Sequence, residues 1–183
     1  MQGSTTEVLH NWQNFYVLTG GSAATLMGLV FVPASLGANL KNSDAITRGM
    51  RSFVAPIIIN FTTVLLVAAF LTIPTHTYAS LSFLLACGGV AGLGYQGSTG
   101  VQLWRHHRQT SPVKPEDWFW RVIFPALGYF LVLIVAFGLP KPRVPVLNTL
   151  PIAVISFLLI GIRNTWDLVL WIARQQLQAQ RTE

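Results

Sequence analysis

The sequence predicts an all-α integral membrane protein, a bundle of about five transmembrane helices with its N-terminus outside the cytoplasm and its C-terminus inside. Of the 183 residues, 52% are hydrophobic and 10% are charged, whereas about 25% of the residues of soluble proteins are charged. The apolar residues form long uncharged runs, and the charged residues cluster at the ends of these runs. Each run has the ~20 residues with which an α-helix crosses a hydrocarbon core of about 30 Å.

The predicted spans lie near residues 15–36, 52–73, 80–104, 118–139 and 146–173. These runs are continuously apolar rather than alternating, which favours helices over barrel strands, because backbone groups in lipid must be satisfied within the segment. No internal repeat or low-complexity tract divides the chain, so residues 1–183 are expected to form a single polytopic membrane domain. The stretch before the first span carries Glu7 and no basic residue, so we expect that span to be retained rather than cleaved as a signal peptide.

The orientation follows from the basic residues, which favour cytoplasmic loops. With Arg163 left aside, nine of them fall on one side of the predicted membrane and two, Lys141 and Arg143, on the other. The nine are Lys41, Arg48, Arg51, Arg105, Arg108, Lys114, Arg121, Arg174 and Arg181. Five of the six tryptophans lie at the same basic interface. The expected location is therefore the inner, cytoplasmic membrane of the cell, with several crossings.

Small residues recur at four-residue spacing in two spans. Gly20, Ala24 and Gly28 share this spacing in the first span, and Gly88 and Gly92 share it in the third. Small residues let helix backbones approach closely, so the pattern predicts tight helix packing within or between subunits. The alternative is that one of these faces lines a pore, or that the third helix is broken at its glycines and presents backbone carbonyls.

A polar cluster is predicted in the cytoplasmic half of the membrane. Its members come from spans two, three and five: Asn60, Tyr95, Gln96, Ser98, Arg163 and Asp167. Their distances from the span ends place them at similar depths, although the sequence does not show that they face each other. An interhelical hydrogen bond is the simpler interpretation for Asn60.

Arg163 and Asp167 are four residues apart, so they share a helical face and can form an ion pair. If the fifth span ends near Ile162, the pair lies at the cytoplasmic interface and an amphipathic helix follows along the membrane surface. If the helix continues through Ala173, the pair is buried among helices, where a lone charge costs about 2.5–3.5 kcal/mol on insertion scales. In that case the two charges should be energetically coupled, to each other or through shared partners.

We expect neither enzymatic activity nor a cofactor. The chain has no GxSxG, HExxH or phosphate-binding loop, and its histidines and the single Cys87 lack the spacing of a metal or haem site. The net charge of +6 does not predict nucleic-acid binding, because the basic residues mark membrane interfaces rather than a stripe.

The loops are short, so function is expected within the bilayer or at its surface. Our leading hypothesis is a homo-oligomer that forms a conduction pathway for ions or small solutes. The alternative is a non-catalytic subunit or scaffold of a membrane protein complex. The expected partners are therefore the lipid bilayer, further copies of the chain and, under the alternative, another membrane protein. The odd number of spans disfavours two equal inverted repeats, and with them a secondary transporter.

The predicted orientation can be tested by cysteine-accessibility labelling of Thr5→Cys and Gln109→Cys in a Cys87→Ser background. A membrane-impermeant maleimide added outside should label Thr5→Cys in intact cells, whereas Gln109→Cys should react only after the membrane is opened. Labelling of Thr5→Cys from the cytoplasmic side alone would overturn the topology.

Overall fold

The computed structural model describes residues 3–38, 44–73, 77–109, 118–139 and 146–181. Its long elements, in chain order, are α1 (Gly3–Leu29), α2 (Phe31–Ala38), α3 (Asp44–Thr72), α4 (Tyr78–Gln109), α5 (Phe124–Gly138) and α6 (Leu150–Arg181). A π-helical turn, Phe119–Ile123, leads into α5, and a 3₁₀ turn, Val146–Thr149, leads into α6. The basic residues Lys41, Lys114, Lys141 and Arg143, used above for the orientation, lie outside the described residues.

Five segments are long and apolar enough to cross a membrane, which confirms the predicted number of spans. They are Trp12–Leu36, Phe53–Thr72, Tyr78–Arg105, Phe119–Gly138 and Leu150–Leu177. The first of them contains both α1 and α2. Pro33 lacks the N–H that would bond to the carbonyl of Leu29, and the helix is interrupted at Val30. Hydrogen bonds from Val30 to Leu26 and from Ala34 to Val30 carry the chain across this break.

The helices pack in a definite order. Helix α3 packs along α1 on one side and along α6 on another, while α5 packs along both α6 and α4. Helices α3 and α4 follow each other in the chain but touch only weakly. The buried core is made mostly of aromatic and branched apolar side chains, including Tyr16, Phe61, Tyr129 and Phe157. An open side therefore remains between α3 and α4.

A glycine lies at each closely packed helix pair. A Cβ atom added at Gly20 would lie 2.8 Å from the Ala68 Cβ of α3, and one at Gly161 would lie 2.5 Å from the Phe61 ring. The same holds for the two other pairs. A Cβ added at Gly128 of α5 would lie 2.8 Å from the Phe157 ring of α6, and one added at Gly89 of α4 would lie 2.6 Å from the Leu133 side chain of α5. Gly92 is covered by the Tyr129 ring. Because glycine has no side chain, these helices can approach each other closely, as expected for helices in lipid.

Only some of the small residues singled out in the sequence have this role within the chain. Gly20 and Gly92 are buried contacts, whereas Ala24, Gly28 and Gly88 are exposed, and a Cβ at Gly28 or Gly88 would meet nothing within 4 Å. The geometric reason is that a step of four residues turns an α-helix by about 400°, so each repeat drifts by about 40°. The buried stripe of α1 instead includes Tyr16, Gly20, Ala23 and Val30.

Two expectations about helix continuity are settled. Helix α4 is continuous from Tyr78 to Gln109, so the idea that the third span is broken at its glycines is wrong. Helix α6 is continuous from Leu150 to Arg181, so the fifth helix does not end near Ile162 and continues through Ala173. Regular i to i+4 bonding satisfies the backbone in both helices, which removes the need for a break.

Candidate functional site

Two carbonyl groups of the α5 region are bonded by side chains of α4. The Gln96 side-chain amide donates to the carbonyl of Arg121, and the Ser82 hydroxyl donates to the carbonyl of Ala136. Each carbonyl lies four residues before a proline, Pro125 and Pro140 respectively. A proline has no N–H to donate, so both carbonyls lack their regular α-helical donor. The polar side chains of α4 supply these donors from the neighbouring helix.

The π-helical turn lies where the first of these carbonyls is freed. The N–H of Phe124 bonds to the carbonyl of Phe119, five residues back. Such wide turns are rare and are found mostly as single turns, frequently at functional sites. Gln96 is 5% exposed, so its bond to Arg121 is made in a poorly solvated place, where an unpaired polar group is expensive.

A cluster of arginine and aromatic side chains surrounds this turn. The Arg163 guanidinium carbon lies 4.4 Å from the centre of the Trp120 ring, and that of Arg121 lies 4.8 Å from the centre of the Phe53 ring. The Phe53 ring in turn lies 5.8 Å from that of Trp171 on α6. We call Phe53, Trp120, Arg121, Arg163 and Trp171 the arginine–aromatic cluster. It joins the start of the α3 span, the start of the α5 region and the second half of α6.

The cluster lies at one end of the spans. Phe53 opens the second span, and Trp120 and Arg121 are among the first residues of the fourth. Phe61 packs on Gly161, and eight residues of α3 separate Phe61 from Phe53, or about 12 Å. The Arg163 backbone therefore lies roughly 9 Å inside the level of Phe53, while its guanidinium reaches Trp120 near the boundary. This extension of a long charged side chain towards the interface is snorkelling.

The structure does not show the ion pair that the four-residue spacing allows between Arg163 and Asp167. Both side chains are half-buried, and in the described part of the chain no ion pair or hydrogen bond joins them. The Arg163 Nε atom is buried without a hydrogen-bond partner there. The guanidinium contacts the Trp120 ring instead. We therefore expect Arg163 to be energetically coupled to Trp120 rather than to Asp167.

The remaining members of the predicted polar cluster have separate environments. Asn60 is buried in α3, next to the residue that packs on Gly161. Ser98 is exposed, and its hydroxyl donates to the carbonyl of Tyr95 in its own helix at 2.7 Å. Tyr95 lines the open side between α3 and α4. The described contacts therefore connect Gln96 and Arg163 to one turn of α5 and do not join all six residues.

An apolar groove occupies the open side between α3 and α4. It has a volume of about 320 Å³, and Tyr129 and Val132 of α5 form part of its lining. The Tyr129 hydroxyl lies 3.1 Å from that of Thr63 in α3. Tyr129 also packs against Phe157 of α6, with ring centres 4.6 Å apart, and over Gly92 of α4. One side chain thus connects α5 to three neighbouring helices, and Gly88 from the predicted set lies beside it in the groove lining.

Sequence reasoning missed several residues that the structure brings forward. They are Ser82, Trp120, Tyr129 and Asn164, of which Asn164 is 7% exposed. A sequence signal existed for Ser82 and for the role of Gln96, because each pairs with a carbonyl four residues before a proline. No comparable signal marks Trp120 as the partner of Arg163, since that contact depends on how α5 and α6 are placed side by side.

Among the described residues there is no group of three or more His, Cys, Asp or Glu side chains that could hold a metal ion. Comparisons with protein-family models, with curated proteins and with solved structures find no significant match. The interpretation of the site therefore depends on its own geometry.

The first prediction from this geometry concerns the bond between Gln96 and Arg121. The variant Gln96→Met keeps the volume but removes the donor, which should destabilise the protein by about 1–3 kcal/mol because a buried carbonyl loses its partner. In a Pro125→Ala background the backbone regains an N–H at position 125, so the same change should cost clearly less. Thermal unfolding in detergent measures both costs. Equal costs in the two backgrounds would show that the bond does not compensate for the proline.

The second prediction concerns the partner of Arg163. A double-mutant cycle of Arg163→Leu with Trp120→Leu should give a coupling of about 0.5–2 kcal/mol, the range of cation–π contacts. The matched cycle of Arg163→Leu with Asp167→Leu should give a smaller value. Stability in detergent is again the readout. A larger coupling with Asp167 would restore the ion pair predicted from the spacing.

Proposed function

We propose that the protein is a homo-oligomer whose subunits surround a conduction pathway for ions or small solutes in the inner membrane, with the N-terminus outside the cytoplasm. The observation that carries this proposal is the contrast between a filled interior and two exposed faces of small residues. Aromatic rings occupy the space beside Gly92, Gly128 and Gly161. A pathway would therefore have to lie between subunits rather than through one.

The first exposed face runs along the first span and consists of Gly21, Thr25, Gly28 and Ser35. The second runs along α4 and consists of Cys87, Ala91, Gly94 and Ser98. The steps between neighbouring residues are four, three and seven in the first face and four, three and four in the second. Such steps keep each set on one side of its helix. Along α5 and α6 the exposed residues are mostly large, such as Phe130, which is 56% exposed, and Leu159, which is 53% exposed. Glycine and hydroxyl residues suit a close helix contact or a hydrated path better than lipid.

The two faces are on helices that do not pack along each other within one chain. A contact between the α1 face of one copy and the α4 face of the next would be heterologous, because different surfaces meet. Repeated contacts of this kind close into a ring when the rotation allows. A ring has an axis, and the axis is where a pathway between subunits would run.

The alternative function is a non-catalytic subunit or scaffold of a membrane protein complex. It is favoured by the α3–α4 groove, whose lining is almost entirely apolar. Side chains of a helix from another membrane protein could fill such a groove.

The assembly can be tested by oxidative crosslinking of Gly21→Cys with the native Cys87. Gly21 lies nine residues after Trp12 and Cys87 nine after Tyr78, so both lie at the same depth from the start of their spans. The oxidised protein should form a ladder of dimers and larger species. Ile155→Cys is the matched control. It lies six residues before Gly161, which packs on Phe61, so in the antiparallel α6 it is level with Val67, next to the Ala68 that Gly20 contacts, and it is 45% exposed. It should add nothing to the crosslinking by Cys87 alone.

Dimers formed through Cys87 alone, or equal crosslinking by the control, would contradict the ring. Liposomes containing the assembled protein should then release potassium or a small neutral solute. Gly28→Leu should abolish assembly and release together, because it adds bulk to a contact face. Assembled protein without release of either solute would reject conduction and leave the scaffold function.

A further inference from the structure

The described side chains have unbalanced charge. They include four arginines, Arg105, Arg121, Arg163 and Arg174, and one carboxylate, Asp167. Neither Arg121 nor Arg163 has an ion pair or side-chain hydrogen bond in the described part of the chain, and Asp167 has none either. The arginine–aromatic cluster therefore carries two positive charges that no carboxylate of the described residues neutralises by direct contact.

The aromatic rings position these guanidinium groups without using their donors. The centres of the Trp120 and Phe53 rings lie 4.4 and 4.8 Å from the guanidinium carbons. The N–H groups of a guanidinium lie in its plane and form a fork that matches two oxygens of a carboxylate or phosphate. A cation–π contact stabilises the charge but accepts none of these hydrogen bonds. The Nε of Arg163 is buried and lacks an acceptor among the described residues, so an oxygen acceptor from outside the protein would recover the cost of burying it.

The depth of the cluster indicates the kind of anion. Phe53 begins its described apolar segment, and Trp120 and Arg121 are the second and third residues of theirs. Charged residues, Arg51 and Asp117, come shortly before them in the sequence, which favours a position near the headgroups. Basic pockets between transmembrane helices at this level bind lipid headgroups. Trp171, which lies against Phe53, is typical of the same layer.

We propose that the arginine–aromatic cluster binds the phosphate of an anionic lipid, with Arg163 as the main donor and Arg121 as the second cation. Among the described side chains Asp167 is the one carboxylate, so Arg121, Arg163 and Asp167 together leave an excess of one positive charge. The site is part of the single protomer and is independent of any pathway between subunits. Since a soluble phosphate offers the same oxygens, the source of the phosphate group has to be separated by experiment.

The test measures the thermal unfolding midpoint of the detergent-solubilised protein against the concentration of added phosphate compound. The probes are short-chain phosphatidylglycerol, short-chain phosphatidylcholine and inorganic phosphate. Phosphatidylglycerol should stabilise the protein at a concentration about tenfold lower than either of the others. Its effect should weaken as salt is added, because the attraction is electrostatic.

The variants locate the site. Arg163→Gln should raise the half-saturating concentration of phosphatidylglycerol about tenfold, the scale of a lost charge-assisted hydrogen bond. Arg163→Lys should lose part of this because it keeps the charge but not the fork. Arg105→Gln removes an exposed charge outside the cluster and should change the concentration less than about twofold. Arg121→Gln provides a second measurement if Arg163→Gln does not fold.

Equal weakening by Arg105→Gln and Arg163→Gln would overturn the site and show only general attraction to a basic surface. Equal stabilisation by inorganic phosphate and phosphatidylglycerol would overturn the assignment to lipid. Full retention of the phosphatidylglycerol effect in both Arg163→Gln and Arg121→Gln would overturn the proposal as a whole.

Discussion

A buried carbonyl that loses its helical donor to a proline must find another donor, because an unpaired polar group away from water is costly. Two such carbonyls, those of Arg121 and Ala136, are bonded by Gln96 and Ser82 of α4. Between these two bonds α4 lies against α5 through Gly89 and Gly92. The pairing of α4 with α5 is thus fixed at both ends by polar bonds and in the middle by close backbone approach. The position of α4 decides where the α3–α4 groove opens and which side of α4 is left exposed.

The rest of the bundle is arranged around the other sides of α5. Tyr129 fills the space beside Gly92, packs on Phe157 of α6 and meets the hydroxyl of Thr63 in α3. Helix α6 then receives Phe61 of α3 at Gly161. Gly92 and Gly161 each lie against a large ring, that of Tyr129 and that of Phe61 respectively, so the rings fill the space that these glycines leave. Two places are not filled in this way. They are the gap between α3 and α4 and the outward faces of α1 and α4.

The sequence predicts the number and the helical nature of the spans because length and hydropathy determine them. It predicts the faces less well. Steps of four residues suggested one face for Gly20, Ala24 and Gly28, but a drift of about 40° per step carries Gly28 out of the contact that Gly20 makes. Arg163 and Asp167 share a face as predicted, yet Arg163 finds Trp120, because a partner on another helix depends on tertiary placement. Pro125 and Pro140 mark the carbonyls four residues before them, those of Arg121 and Ala136, as lacking a helical donor. Gln96 and Ser82 supply the missing donors.

The sequence left two alternatives for Arg163, a charge at the interface and a charge buried among helices, and the position of Arg163 combines features of both. Its helix continues through the membrane, while its guanidinium extends to the level of Trp120 at the span boundary. The backbone lies inside the fifth span and the guanidinium extends towards the span end, a placement that would lower the cost of a cation here without an ion pair. In the described part of the chain the guanidinium N–H groups have no hydrogen-bond acceptor. Arg163, for which the sequence suggested Asp167 as a partner, is thus placed where the proposed lipid contact would connect the bundle to its bilayer.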